Sequence, residues 1–219
     1  MTALPGLPMS SAEFDARQEE SYWQAAGAWL ARWHRSSSGP WFGVPWPNGT
    51  PQPPGDETDA APMMARTIEE WLSRGKDAGL LSAAETAFAE WALASADALD
   101  AEQPTPCHGD YRPQNWIIDH TGRGEARWSG VIDFEYARWD IRLADIGHRW
   151  DRGLAGRADR RDAFFAGYGG LPTPTERTQL HILRLVGALS RIVGGHLAAR
   201  AEVEQLGRNT LRALAEAAP

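Results

Sequence analysis

The sequence contains a single cysteine, Cys107, among its 219 residues. One cysteine cannot form a disulfide within the chain, which excludes the disulfide-stapled secreted class and favours a reducing compartment such as the cytoplasm. No apolar run approaches the roughly 20 residues of a membrane-spanning helix. The first residues, beginning at Met1, have neither the basic region nor the long apolar core of a signal peptide. The composition therefore predicts a cytoplasmic protein without membrane association.

Lysine is also scarce, and Lys76 is the only one. Lysine and arginine together number 22 against 29 aspartates and glutamates, so the formal net charge is −7. This balance argues against a nucleic-acid partner, because phosphate backbones attract basic surfaces. It agrees with a cationic small molecule as partner, although a negative surface is also usual for soluble proteins. With 42% hydrophobic and 23% charged residues, the chain fits one globular domain or one large lobe.

Two short segments place acidic and amide side chains at a regular spacing. Residues 108–115 (HGDYRPQN) put Asn115 five positions after Asp110, and residues 131–135 (VIDFE) put Asp133 after an apolar run. In phosphoryl transfer, a carboxylate accepts the proton of the attacking hydroxyl, while oxygen ligands hold magnesium on the nucleotide phosphates. We therefore expect Asp110 to be the catalytic base, and Asn115 and Asp133 to bind Mg²⁺. The competing interpretation is that all three are ordinary turn residues.

These segments resemble the aminoglycoside phosphotransferase and choline kinase group of small-molecule kinases. Protein kinases usually have arginine where Gly109 stands and glycine where Glu135 stands. The resemblance implies ATP or GTP as phosphoryl donor and Mg²⁺ as cofactor. It also implies that Asp145, in the segment 143–146 (LADI), braces the catalytic loop through backbone amides. His108 is likewise implied to support the loop and not to act as an acid or base.

Three further residues near these segments have two interpretations each. Arg112 could help to neutralise the transferred phosphoryl group, or could be an outward-facing, solvated side chain. Glu135 could bind Mg²⁺ or a cationic acceptor, or could pair with Arg138. Trp139 could contribute to an aromatic cage for a quaternary ammonium acceptor, or could fill the core as most tryptophans do. The tryptophans close to the site in sequence are Trp116, Trp128, Trp139 and Trp150.

The resemblance covers only the C-terminal lobe of such kinases and predicts an α+β fold that is mostly α, with a small β-hairpin carrying the catalytic and metal loops. The N-terminal lobe supplies a lysine for the phosphates and a glycine-rich loop. Lys76 is instead predicted in a polar turn between two helices, and residues 122–127 (GRGEAR) indicate a hairpin turn. We therefore expect residues 1–9 to be a remnant of the inter-lobe hinge and residues 10–219 to form the C-terminal lobe.

Capping signals and periodicity predict the elements of this lobe. Capping boxes at Ser10 and Ser82 and an N-cap at Thr173 mark the starts of helices. A long loop rich in proline, glycine and tryptophan could line an acceptor pocket or cover the surface of the lobe. The predicted elements are a helix at 12–35, the loop at 36–61, helices at 61–74 and 82–101, the catalytic and metal-binding segment at 107–135 with strands at 116–119 and 127–132, and helices from 173 and at 201–217.

The sequence thus predicts an ATP-dependent phosphotransferase acting on a hydroxyl of a small molecule, present as a truncated C-terminal lobe. The acceptor could be an aminoglycoside or another antibiotic, a choline-like compound, a sugar or an amino alcohol, because acceptor pockets on such a fold vary. The alternative is a catalytically inactive remnant or binding protein that needs a partner lobe, since the phosphate-binding lysine and loop are missing. An exposed lobe-junction surface would favour self-association.

Overall fold

The computed structural model describes residues 4–53, 57–119, 127–147 and 153–216, most of which are helical. The helices are α1 (Ala16–His34), α2 (Ala60–Asp77), α3 (Ala83–Ala94), α4 (Ala144–Gly147), α5 (Ala158–Tyr168), α6 (Pro174–Leu197) and α7 (Ala201–Glu216). Two 3₁₀ turns lie at Met9–Ser11 and Ala96–Leu99. The predicted α+β class, mostly α with a small sheet, is confirmed.

Five short strands within the described residues form two small antiparallel sheets. The strands are β1 (Leu7–Pro8), β2 (Thr105–Cys107), β3 (Trp116–Asp119), β4 (Arg127–Val131) and β5 (Arg138–Asp140). One sheet has the order β1-β3-β4, and the other pairs β2 with β5. The predicted hairpin is present as β3 and β4, and its predicted turn at 122–124 lies outside the described residues. The catalytic loop therefore connects one sheet to the other.

Helix α1 begins later than the sequence predicts. Its N-cap is Asp15, whose Oδ1 accepts from the Gln18 backbone N–H at 2.8 Å, while Gln18 Oε1 accepts from the Asp15 N–H at 3.1 Å. The predicted capping box at Ser10 is wrong, because Ser10 lies in the 3₁₀ turn and its backbone N–H donates to the carbonyl of Pro113 at 3.3 Å. A tertiary hydrogen bond to the catalytic loop thus replaces the local cap.

The other capping predictions are confirmed. Ser82 caps α3 and Thr173 caps α6, each by a reciprocal capping box, with Pro174 in the first turn of α6. The predicted helix at 82–101 is interrupted, because α3 ends at Ala94 and a 3₁₀ turn follows. The placement of Lys76 in a turn was also wrong, since this residue lies in the last turn of α2.

Helix α6 forms the centre of the core. Its predicted apolar stripe is buried and consists of Ile182, Leu185, Val186, Leu189, Ile192 and Val193. Helix α1 approaches α5 so closely that a Cβ atom at Gly27 would lie 1.9 Å from the Phe164 carbonyl oxygen. This contact fixes α1 against the core and places its C-terminal end at the catalytic loop. Within the described ranges, no helix combines the length and apolar character that crossing a bilayer requires.

The segment between α1 and α2 contains no helix among its described residues, as its proline and glycine content predicts. Three isolated backbone bridges involve its described residues, and they pair Phe42 with Glu57, Pro45 with Pro51, and Gly43 with Trp139. The Gly43 N–H donates to the Trp139 carbonyl at 2.8 Å, and the Trp139 N–H donates back at 3.0 Å. The loop is therefore attached to β5, which follows the metal-binding segment in the chain.

Candidate active site

The catalytic loop, residues 108–115, turns sharply at Gly109. This residue has a φ of +77°, a left-handed conformation that favours glycine. A Cβ atom there would lie 2.3 Å from the carbonyl oxygen of Tyr136. The segment that follows Asp133 therefore folds back directly over the loop. The arginine that protein kinases usually carry at this position would not fit.

Two side chains of the loop, those of Asn115 and Arg112, contact the carboxylate of Asp110, which is buried. The Asn115 Nδ2 donates to the Asp110 carbonyl at 2.9 Å and to Asp110 Oδ2 at 3.1 Å. The Nε of Arg112 lies 2.8 Å from the same Oδ2 and forms an ion pair with it. The Asn115 backbone N–H donates to the Arg112 carbonyl at 2.8 Å, which closes the turn. These contacts fix the direction of the Asp110 carboxylate.

Asp133 is brought to Asn115 through the backbone. The Ile132 N–H donates to the Asn115 carbonyl at 3.0 Å, so the end of β4 is bonded to the start of β3. The next residue, Asp133, is exposed and has a φ of +68°, a conformation that aspartate tolerates better than most residues. Residues eighteen positions apart in sequence are thus neighbours.

His108 and Asp145 connect the loop to the interior. The His108 and Gly109 backbone N–H groups donate to the two oxygens of the buried Asp145 carboxylate, at 2.8 and 2.7 Å. The His108 Nε2 donates to the Ile132 carbonyl at 2.9 Å, and Nδ1 accepts from the Asp110 N–H at 3.2 Å. His108 therefore ties the loop of Asp110 to the segment of Asp133.

Sequence reasoning missed His34, which lies in the last turn of α1. Its Nε2 is 3.2 Å from Asp145 Oδ2, and the two residues are 111 positions apart. Burial opposes ionisation of Asp145, but the hydrogen bond and charge of His34, together with the two loop amides, outweigh it and lower the pKa of Asp145 below its usual value. No local pattern marks His34, because its function depends on a tertiary contact.

His34, Asp145 and Cys107 also form a compact buried group with donor atoms within 4.8 Å of one another. Burial, reinforced by the charge of Asp145, raises the pKa of the Cys107 thiol well above its usual value. The thiol is therefore neutral and lies 3.5 Å from the carbonyl of Ile141. Since a soft metal needs a thiolate and the other donors already make hydrogen bonds, the group is best described as hydrogen-bonded.

Glu135 and Trp139, the two candidate contacts for the acceptor, lie in different surroundings. Glu135 is exposed, and its predicted pairing with Arg138 is wrong, because Arg138 Nε donates to Asp140 Oδ2 at 2.7 Å. Trp139 is half-buried in β5 and packs against Gly39, where a Cβ atom would lie 2.4 Å from its ring.

Two other tryptophans near the site in sequence, Trp116 and Trp128, make their ring contacts away from Trp139. Trp116 is buried and meets Trp23 edge-on, with ring centroids 5.0 Å apart. Trp128 is half-buried and packs against Trp116 at 5.9 Å. Trp150 lies outside the described residues.

Two cavities lie close to these residues. One, of about 130 Å³, extends beside the catalytic loop and is lined by Trp23, Tyr111, Arg112, Gln114, Trp116 and Phe164 among others. The second, of about 720 Å³, lies between the loop that joins α1 to α2, helices α2 and α6, and strand β5, and includes Trp139 in its wall. Arg112 therefore borders both the Asp110 carboxylate and an aromatic cavity.

The lysine of the chain lies elsewhere. Lys76 Nζ pairs with Glu90 Oε1 at 3.1 Å on the surface of α2 and α3, with both side chains about half exposed. This contact joins two helices of the lobe and involves none of the residues around Asp110.

A family model described as a phosphotransferase enzyme family matches residues 1–183, more than four-fifths of the chain. No curated protein matches the chain. The resemblance drawn from residues 108–115 and 131–135 is confirmed by this match.

Solved structures share the fold. The GDP complex of wild-type aminoglycoside 2′-phosphotransferase-IIIa is 15% identical with a TM-score of 0.65, over 97% of this chain and 68% of that one. The apo form of a thermostable mutant of aminoglycoside phosphotransferase APH(4)-Ia is 15% identical with a TM-score of 0.69, over 98% and 70%. A putative fructosamine-3-kinase from Thermobifida fusca is 23% identical with a TM-score of 0.56, over 92% and 67%. Because the structures support the fold and the family model covers most of the sequence, the chain belongs to the phosphotransferase enzyme family.

Proposed function

We propose that the chain carries the base and metal ligands of an enzyme that transfers the γ-phosphoryl group of ATP or GTP to a hydroxyl of a small molecule. The observation that carries the proposal is the cluster around Asp110, where Asn115 and Arg112 contact the same carboxylate oxygen. The family and the fold of its solved neighbours support phosphoryl transfer. The backbone bond from Ile132 to Asn115 adds Asp133 to this cluster.

Asp110 is the base in this proposal. Its carboxylate is held by Asn115 and would align the acceptor hydroxyl and take its proton as the phosphoryl group moves. A loose transition state needs little covalent assistance, so orientation of the attacking oxygen is the main contribution that such a carboxylate makes.

Asn115 and Asp133 supply the metal ligands. The amide nitrogen of Asn115 is committed to Asp110, so its amide oxygen is the atom that remains for a cation. Amide and carboxylate oxygens are the hard donors that Mg²⁺ prefers. When bound, Mg²⁺ would neutralise charge on the phosphates of the nucleotide. Asp133 is exposed and follows β4 directly, which suits a ligand shared with a nucleotide.

Arg112 would change partners during the reaction. Its guanidinium now lies against Asp110 Oδ2, and its side chain is 36% exposed. A phosphate group beside Asp110 would place a second anion within reach of the Arg112 guanidinium. Arginine binds two phosphate oxygens at once through a pair of parallel N–H groups. Arg112 would then neutralise the transferred group and leave Asp110 to the acceptor hydroxyl.

The acceptor class is the finer part of the proposal. Solved neighbours are complexes with kanamycin and with spectinomycin, which makes antibiotics the first acceptors to examine. Choline-like compounds and amino alcohols remain alternatives, with Glu135 and Trp139 as contacts for a cationic group. The aromatic cavity beside Arg112 would accept an apolar part of such a molecule.

Consumption of ATP and GTP in the presence of Mg²⁺ tests the proposal. The purified chain, its Asp110→Asn variant and a surface control, Glu202→Gln, would be assayed with aminoglycosides, macrolides, choline and amino alcohols. We expect acceptor-dependent turnover that Asp110→Asn reduces by at least about 100-fold, as loss of a general base does. Equal turnover in Asp110→Asn and Glu202→Gln would remove Asp110 from the chemistry.

A second candidate function is a binding protein without catalysis. Its support is the position of Lys76, paired with Glu90 on the lobe surface and so not a phosphate ligand. Exposed apolar side chains at Leu7, Ile132 and Phe134 would then form a contact surface for a partner lobe or a second copy. Light scattering across a concentration series tests self-association. An in-frame glycine-rich strand pair encoded upstream of Met1 would favour the enzyme.

The cytoplasm is the proposed location of either activity. Cys107 is free and buried, which agrees with a reducing compartment but does not require one. Localisation of a tagged chain by fractionation would test this part of the proposal.

A further inference from the structure

A chain of polar side chains runs from α5 through the end of α1 to the catalytic loop. The Tyr168 hydroxyl lies 2.8 Å from His34 Nδ1, and His34 Nε2 lies 3.2 Å from Asp145 Oδ2. On the other side of Tyr168, Arg142 pairs with Glu176 in the capping box of α6, and its charge acts to lower the pKa of the phenol. Helices α1 and α5 are thereby joined by hydrogen bonds to Asp145, which holds the loop.

The direction of the last hydrogen bond follows from its acceptor. A carboxylate only accepts, so His34 Nε2 carries the hydrogen that reaches Asp145. The other ring nitrogen, Nδ1, lies 2.8 Å from the Tyr168 hydroxyl, and this contact holds the imidazole ring in place. Burial raises the pKa of Tyr168 to about 12, so the phenol keeps its proton.

The contact between His34 and Asp145 is buried, so the charge of the carboxylate is costly unless it is hydrogen-bonded. Asp145 is 2% exposed and His34 is 7% exposed. An ionised carboxylate persists in such an environment only when hydrogen bonds replace its water. His34 supplies one of these bonds, and the N–H groups of His108 and Gly109 supply two others. If the His34 bond were lost, only the two loop amides among these three donors would still stabilise the Asp145 carboxylate.

We propose that His34 and Tyr168 are positioning residues for phosphoryl transfer. Tyr168 fixes the orientation of the His34 ring, His34 fixes the carboxylate of Asp145, and Asp145 holds the backbone that presents Asp110. Neither side chain takes part in the chemistry directly, because both act through Asp145. The catalytic part of this inference rests on the proposed function, whereas the link between His34 and the loop backbone stands on the hydrogen bonds alone.

Amide hydrogen exchange tests the structural link without any activity. The variants are His34→Ala, which removes the donor, His34→Gln, which keeps an N–H in reach of Asp145, and Tyr168→Phe. Leu30→Val, one turn earlier on α1 and fully buried, is the control for general loss of packing. Exchange at the His108 and Gly109 amides would be compared with the slowest amides of α6.

We expect His34→Ala to speed exchange at these two amides about tenfold or more relative to α6, because losing a hydrogen bond to a buried charged group commonly shifts an equilibrium by about that factor. His34→Gln should restore most of the protection. Leu30→Val should change the loop and α6 together. The proposal would be overturned if the ratio of loop-amide exchange to α6 exchange were the same in His34→Ala and Leu30→Val.

Kinetics test the catalytic part. In an active wild-type chain, His34→Ala and Tyr168→Phe should lower kcat about tenfold or more while KM for Mg²⁺·ATP changes less than about threefold, and His34→Gln should recover activity. A rise in KM with unchanged kcat would contradict a positioning role. Absence of turnover in the wild-type chain would count against the proposed function, and the exchange result would still decide the link to the loop.

Discussion

At the scale of single residues, Gly109 carries the tightest constraint around the site. It combines a positive φ with a carbonyl oxygen, that of Tyr136, at the position where a side chain would begin. The same close approach brings the segment after Asp133 onto the catalytic loop. The glycine is thus needed for the base and the metal ligand to share one region.

Gly109→Ala measures this constraint. We expect it to lower the free energy of unfolding by about 2–3 kcal/mol, because the strained φ and the steric overlap add. Gly79→Ala is the matched control, since Gly79 has a φ of +64° and open space around it. It should cost about 1 kcal/mol, for the left-handed conformation alone. Equal costs in urea titrations of the two variants would show that Tyr136 imposes no steric limit.

Asp145 gives a pH dependence at the same scale. Its folded-state pKa is lowered from the usual value of 3.8, chiefly by the bond to His34 once the opposing effect of burial is overcome. Its contribution to stability is therefore complete above pH 3.8 and is lost as pH falls from there through the lower folded-state pKa.

The free energy of unfolding of the wild-type chain and of Asp145→Asn, measured between pH 7 and pH 3, tests this sign. The difference between the two should be constant at neutral pH and should narrow below pH 3.8. A difference that widens as the pH falls would mean that the carboxyl group is destabilised in the folded chain.

At the scale of elements, local capping signals identified helix starts only where no tertiary contact competed. Ser82 and Thr173 cap their helices as predicted. Ser10 has a similar sequence context but is held by the carbonyl of Pro113, and Asp15 caps α1 instead. Sequence alone could not distinguish these cases, because Pro113 is distant along the chain.

Replacing the two serines measures this difference. Ser82→Ala should lower the free energy of unfolding by about 1 kcal/mol, the usual contribution of an N-cap. Ser10→Ala should change it by less than about 0.5 kcal/mol, because its side chain is exposed and caps no helix. Thermal or urea unfolding of both variants is sufficient. A larger loss of unfolding free energy in Ser10→Ala would indicate that Ser10 caps a helix after all, as the sequence predicts.

At the scale of the whole molecule, the sequence is most informative where the functional residues lie close together along the chain. The hairpin of β3 and β4 and the apolar stripe of α6 follow from periodicity. The hydrogen bonds that support the catalytic loop could not be predicted in this way, because His34 lies 111 residues from Asp145 and 134 residues from Tyr168. Only packing of α1 against α5 brings these side chains together.

The fold gathers its functional candidates at one edge. Strand β2 leads into the catalytic loop, β3 leaves it, and β5 pairs with β2 from the far side of the metal segment. The exposed apolar residues Leu7, Ile132 and Phe134 lie on these same elements or beside them. The central claim is therefore that Asn115 and Asp133 together bind one divalent ion beside Asp110.

Calorimetric titration of the purified chain with Mg²⁺·ADP tests that claim most directly. The account predicts that Asn115→Ala and Asp133→Ala each weaken binding by at least about tenfold, a loss of roughly 1.4 kcal/mol. The surface control Glu202→Gln should bind as the wild-type chain does. Equal heats and affinities for the wild-type chain and Asp133→Ala would contradict it.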